Sequence, residues 1–163
     1  MVSMLTRHPK PVSLSLMATD LPVWSVLETS ATLYQQAPEQ FHLLLTEPVV
    51  QCPATPEPPS ILQAAATPRL LWLEISPYRL IMTMQGNGGF SYRHWWEQGV
   101  YGISRYWLQD SAPTVADHLR LRNFTRSLSL TGRSLPERLR LEYELWTANL
   151  QLGQYVLHLE IQH

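Results

Sequence analysis

Residues 138–145 read Arg, Leu, Arg, Leu, Glu, Tyr, Glu, Leu, an unbroken alternation of charged and apolar side chains. Successive side chains of a strand point to opposite faces. Leu139, Leu141, Tyr143 and Leu145 therefore share one face, and Arg138, Arg140, Glu142 and Glu144 share the other. One dry side and one wet side is the signature of an antiparallel sheet packed on one face only. The next segment repeats the theme, with Tyr155, Leu157, Leu159 and Ile161 inward and Gln154, His158, Glu160 and Gln162 outward. Leu150 and Leu152 are in the opposite phase, and the switch falls at Gly153, where a β-bulge would re-aim the side chains. Upstream, Leu119 and Leu121 are out of step with Phe124, Leu128 and Leu130, with the switch near Asn123. Bulges in neighbouring strands imply a strongly coiled sheet that closes or nearly closes.

The earlier chain supplies more short strands. Residues 11–16 alternate weakly and read as a short edge strand, and 41–46 as a buried one. Between them Trp24, Leu27, Ala31 and Tyr34 recur at helical spacing. Asp20 stands as a cap, Pro22 falls in the first turn and Pro38 ends the pattern, so one amphipathic helix is expected over about 21–36, laid on the sheet. Residues 69–75 and 78–84 pair across Ser76-Pro77. The run Gly86, Asn87, Gly88, Gly89 is the strongest hairpin turn in the chain, and it leads to strands over 90–96 and 99–108. The expected fold is mainly β: an antiparallel meander of eight or nine strands forming a barrel or strongly coiled sheet, with one N-terminal helix packed on it.

All 163 residues fit one domain, large enough to be stable without a metal or disulfide. Residues 48–68 hold six of the thirteen prolines and read as a loop or insertion within that domain. The formal net charge of −1 gives no global attraction to nucleic acid or to acidic membranes. Of twelve basic residues only Lys10 is a lysine, leaving eleven arginines, the residue suited to planar recognition of carboxylates and phosphates. A lone cysteine, Cys52, excludes an internal disulfide and fits a reducing compartment. No secretory signal and no apolar run of membrane-spanning length is read, so the expectation is a soluble cytoplasmic protein without a transmembrane segment.

Chemistry-bearing residues concentrate in one place. Phe90, Tyr92, Trp95, Trp96, Tyr101, Tyr106 and Trp107 gather seven of the sixteen aromatic residues into eighteen positions. Adjacent Trp95 and Trp96 must face opposite ways, as must Tyr106 and Trp107, so both faces of this hairpin carry large rings. Arg93 and Arg105 lie in the same hairpin, and Arg79 on the strand before it. The candidate binding residues are thus Arg79, Tyr92, Arg93, Trp95, Trp96, Tyr101, Arg105, Tyr106 and Trp107. Arginines beside aromatics bind single-stranded nucleic acid in other settings, but the overall charge disfavours it here. A protein partner or the carboxylates of an amphipathic ligand suit them better.

Other motifs carry less. The Gly86–Gly89 run precedes a strand, so it lacks the helix N-terminus of a phosphate loop. The six histidines show no metal-ligand spacing, and His94, in phase with Tyr92, reads as a core or rim residue. No nucleophile, base and acid can be assembled, and no catalytic residue, metal or cofactor is expected. Two readings lead, with an enzyme third behind them. The first is a non-catalytic protein-interaction module, an accessory or assembly factor of a larger complex that uses the aromatic-rich hairpin. The alternative is a lipocalin-like barrel holding a hydrophobic small molecule or pigment.

Overall fold

The computed structural model describes residues 3–4, 9–22, 24–47, 69–85, 90–108 and 118–163. Every helix or strand among them is a strand: β1 (Ser3–Met4), β2 (Lys10–Ala18), β3 (Trp24–Ala37), β4 (Gln40–Glu47), β5 (Arg69–Ile75), β6 (Arg79–Gln85), β7 (Phe90–Glu97), β8 (Tyr101–Leu108), β9 (His118–Thr131), β10 (Arg138–Thr147) and β11 (Leu150–Ile161). The proline-rich residues 48–68, the turn at 86–89 and the loop at 111–117 lie outside the described residues.

From β2 to β11 each strand hydrogen-bonds to the next in the chain. β11 then returns to pair with β2 through seven residue pairs, from Tyr155 opposite Ala18 to Ile161 opposite Val12. Ten antiparallel strands therefore close into an up-and-down barrel, and β1 adds a short pairing to β3 outside the ring. Closure satisfies the backbone groups that an open sheet would leave at its edges.

The alternation of β10 and β11 lies as the pattern demands. Leu139, Leu141, Tyr143, Leu157, Leu159 and Ile161 are buried in the barrel interior. The β11 bulge falls at Leu152, beside Gly153, where the register with β10 slips. The β9 bulge falls at Arg126, three residues after the expected switch. Leu121, Asn123 and Thr125 consequently point inward before it and Leu128 after it, while Phe124 packs on the outside against Tyr101, ring centroids 4.9 Å apart.

Two expectations are corrected. Residues 21–36 do not form a helix: β3 occupies 24–37, and no helix occurs among the described residues. Its inward positions are Leu27, Thr29, Ala31 and Leu33. With Thr and Ala in two of those places the period-two signal is weak, and the chance spacing of Trp24, Leu27, Ala31 and Tyr34 imitates a helix. Residues 11–16 are not an edge either, since β2 is paired on both sides, to β3 and to β11. With β3 a strand, the count rises to ten in the ring.

The interior has two unlike walls. Leu33, Leu43, Leu45, Leu71, Leu73, Ile75, Leu80, Met82 and Met84 make an aliphatic wall from β3 to β6. Next to it β7, β8 and β9 contribute His94, Trp96, Ser104, Asn123 and Thr125, all buried, together with the half-buried Tyr92 and Tyr106.

Candidate functional site

The nine residues singled out from the sequence divide by face. Tyr92, Trp96 and Tyr106 are on the inner wall, and Trp96 is wholly buried. Those three cannot belong to an outer docking face, because period-two alternation turns them into the barrel. Arg79, Arg93, Trp95, Tyr101, Arg105 and Trp107 are outside, on β6, β7 and β8.

The inner set builds a polar aromatic cluster. His94 stacks on Trp96 with centroids 4.6 Å apart and planes 2° from parallel. Its Nδ1 is 2.7 Å from Ser104 Oγ, and its Nε2 is 3.4 Å from the Tyr106 hydroxyl. Asn123 Nδ2 donates to Ser104 Oγ at 2.9 Å and to the Trp95 carbonyl at 3.1 Å. Burial holds the His94 imidazole down at about 4, against an ordinary 6.5, so it is neutral at pH 7. Burial also pushes the Tyr106 phenol up to about 12, with Tyr155 adding to the shift, and raises Tyr143 further. The cluster resembles a Ser–His pair only superficially. It is buried, and no carboxylate hydrogen-bonds to the imidazole among the described residues. Its geometry is that of a support for the strands outside it.

That support explains the outer face. β7 and β8 pair in register from Phe90 opposite Leu108 as far as His94 opposite Ser104, and then the ladder stops. The Trp95 carbonyl, deprived of a β8 partner, is taken by the Asn123 side chain reaching across from β9. Gly102 makes this possible: a Cβ there would stand 2.0 Å from the Trp95 carbonyl oxygen and 2.8 Å from Asn123 Oδ1. Where the strands part, a hollow of about 520 Å³ opens on the outside, floored by Gly102 and walled by Arg93, Trp95, Tyr101, Ile103, Arg105 and Trp107. A second hollow of about 280 Å³ adjoins it across Ile103 and is lined by Arg120, Arg122 and Trp146.

Register places the arginines. Arg93, Arg105 and Arg120 stand directly opposite one another on three adjacent strands. Arg93 lies 4.0 Å from Glu74, whereas Arg105 and Arg120 meet no carboxylate among the described residues. Arg79 rests over the Trp95 ring at 5.1 Å, and Arg122 over the Tyr101 ring at 4.7 Å. Sequence reasoning found all five charged and aromatic walls of the first hollow in one hairpin but missed Ile103 and, in the second hollow, Arg120 and Arg122. Arg120 and Arg122 alternate along β9, and only the β8–β9 register brings them beside Arg105 and Ile103. No group of three potential metal ligands occurs among the described residues, and among them no helix is long and apolar enough to cross a membrane.

No known family model matches the chain, and no curated protein does. Among solved structures it is similar to the ywiB protein from Bacillus subtilis, at 12% identity over 95% of this chain and 94% of that one, with a TM-score of 0.59. A conserved protein of unknown function with hot dog fold from Alicyclobacillus acidocaldarius aligns at 12% identity over 99% and 82% of the two chains, with a TM-score of 0.20. At such identity the first likeness is one of fold.

Proposed function

We propose that this chain is a non-catalytic interaction module, an accessory factor acting in the cytoplasm, and that it engages a protein partner through the outer face of β7–β9. The observation that carries the reading is the hollow itself: outward side chains of two strands, including two tryptophans, a tyrosine and two arginines, converge on one depression. Tryptophan, tyrosine and arginine are the residues that dominate protein interfaces energetically, and they do so around pockets that a partner can fill. Trp95 and Tyr101 remain 38% and 57% exposed, which leaves apolar ring surface for a partner to cover.

The test is photo-crosslinking in the source cells, with Ile103 in the hollow or His158 on the β11 face replaced by a photoreactive phenylalanine. A discrete adduct from position 103 and none from position 158 supports the reading. No adduct from 103, or the same adducts from both, overturns it.

A second reading, a small-molecule barrel, draws on a different observation. Leu14, Leu16, Leu27, Tyr92 and Tyr155 face inward yet remain partly exposed, whereas Leu33, Leu43, Leu73 and Leu141 are sealed. One part of the interior is thus less tightly filled than the rest, and its lining of leucines and phenols suits an amphipathic molecule. Saturable quenching of tryptophan fluorescence by dodecanoate, abolished by Leu27→Trp, would favour it. An unsaturable response would remove it.

A further inference from the structure

The interaction reading leaves the chemistry of the partner open, and the arginine row closes it. Resting on that reading, we propose that the outer face of β7–β9 receives an extended acidic segment of a partner polypeptide. Its carboxylates lie on Arg93, Arg105 and Arg120, and an apolar side chain enters the hollow between Trp95, Tyr101 and Trp107.

Charge complementarity carries the first half. Like charges directly opposite on neighbouring strands oppose sheet pairing. Here three guanidinium groups occupy one cross-strand row, about 4.8 Å from strand to strand, with one acidic neighbour among the described residues, Glu74, at the Arg93 end. Arg105 and Arg120 offer their forked donors to no carboxylate among the described residues, so an incoming carboxylate gains charge-assisted hydrogen bonds without displacing an internal ion pair. The second half follows from the hollow, whose walls are aromatic and aliphatic apart from the arginines.

Nucleic acid would meet the same arginines, but the rings do not favour it. Stacking a base requires a free aromatic face. One face of Trp95 is covered by Arg79, and Tyr101 is engaged by Arg122 and by the Phe124 ring. The basic patch is also bounded at its Arg93 end, where Glu74 stands 4.0 Å from the guanidinium, so a polyanion continuing past Arg93 would meet a carboxylate.

The experiment measures fluorescence anisotropy with the full chain and three labelled probes. These are a short peptide with glutamates and one phenylalanine at every second position and serines between them, so that acids and ring share one face, its glutamine counterpart, and an oligothymidylate matched in charge to the first. The expected result is saturable binding of the acidic peptide that weakens as salt is raised, at least about tenfold weaker binding of the glutamine peptide, and a similar loss in the Arg105→Glu, Arg120→Glu double variant. The neutral pair Arg105→Gln, Arg120→Gln gives an intermediate loss, and matched thermal melts establish that both variants are folded. Equal affinity for the glutamate and glutamine peptides overturns the proposal. So does tighter binding of the oligothymidylate, or indifference to both pairs of substitutions. A specific crosslink at position 103 together with failure of the acidic peptide would retain the docking face and remove the acidic partner.

Discussion

Two stretches of the barrel exterior use the same residue type in opposite ways. On β10 and β11 arginines and glutamates share one outer face, and the charges are spent internally. Arg138 lies 3.6 Å from Glu160, Arg140 is ion-paired with Glu142, and Glu144 accepts from Trp146 Nε1 at 3.2 Å. On β7, β8 and β9 arginine sits opposite arginine, with aromatic rings between. The first surface is complete in itself, while among the described residues the arginine row has a counter-charge only at Arg93. The strands beneath differ in the same sense. β10 is paired along its whole length to β9 and β11, whereas β7 and β8 part after His94 and Ser104 and are held by a side chain. The region in which Arg105 and Arg120 meet no carboxylate among the described residues is also the one with a buried polar cluster inside.

The largest expected effect tests the completed side. Leu141 is fully buried under the β10 charges, and Leu141→Ala should cost about 2–5 kcal/mol in urea denaturation, the range for a leucine cavity in a packed core. A loss below about 1 kcal/mol would mean that the interior collapses freely around it.

Next comes the polar cluster under the open side. His94 titrates at about 4 when folded and near 6.5 when unfolded, so the unfolded chain binds the extra proton between those values. Its contribution to stability is complete above pH 6.5 and declines as pH falls from about 6.5 to about 4. By linkage the decline is on the order of 3 kcal/mol. Unfolding curves across that window should show it, and His94→Phe, which keeps a ring against Trp96, should flatten it. An unchanged slope in the variant would assign the acid sensitivity elsewhere.

The floor of the hollow should respond almost as strongly. Gly102→Ala forces a methyl group against the Trp95 carbonyl, and overpacking of this kind costs about 1–3 kcal/mol. Amide exchange should accelerate at β7 and β8 and stay unchanged at β10 and β11.

The smallest effect separates the two surfaces most directly. Arg120→Glu places a carboxylate opposite Arg105 and should stabilise the fold by about 0.2–1 kcal/mol. Arg140→Glu removes the Glu142 pair and sets two acids together, so it should destabilise by a few tenths of a kcal/mol. Thermal melts of the two variants at low salt should move in opposite directions. Movement in the same direction would erase the distinction between the faces. A stability gain at Arg120 coupled to loss of acidic-peptide binding would show a surface kept repulsive for its ligand.

Legibility from sequence varied along the chain for physical reasons. β10 and β11 were readable because most inward positions carry a large apolar side chain and most outward ones a polar side chain. β3 was not, because two of its four inward positions are filled by Thr29 and Ala31, and a short apolar repeat satisfies two periods at once. The hairpin alternation separated Trp95 from Trp96 and Tyr106 from Trp107 correctly, since opposite faces follow from adjacency alone. The face each would occupy required knowing where the interior lies. Phe124 was assigned to the wrong side because the β9 bulge shifts the phase at Arg126, and a bulge without a glycine leaves no local mark.

Local chemistry written along the chain was enough to establish strands, their dry and wet sides, one bulge and a hairpin dense in rings and arginines, because side-chain alternation is a nearest-neighbour property. Pairing register is not. That β11 meets β2 and closes the ring, that Arg120 comes level with Arg105, and that Asn123 reaches over Gly102 to the Trp95 carbonyl are contacts between residues far apart in sequence. Only the sheet, once closed, decides them. The hollow and its arginine row are products of that pairing.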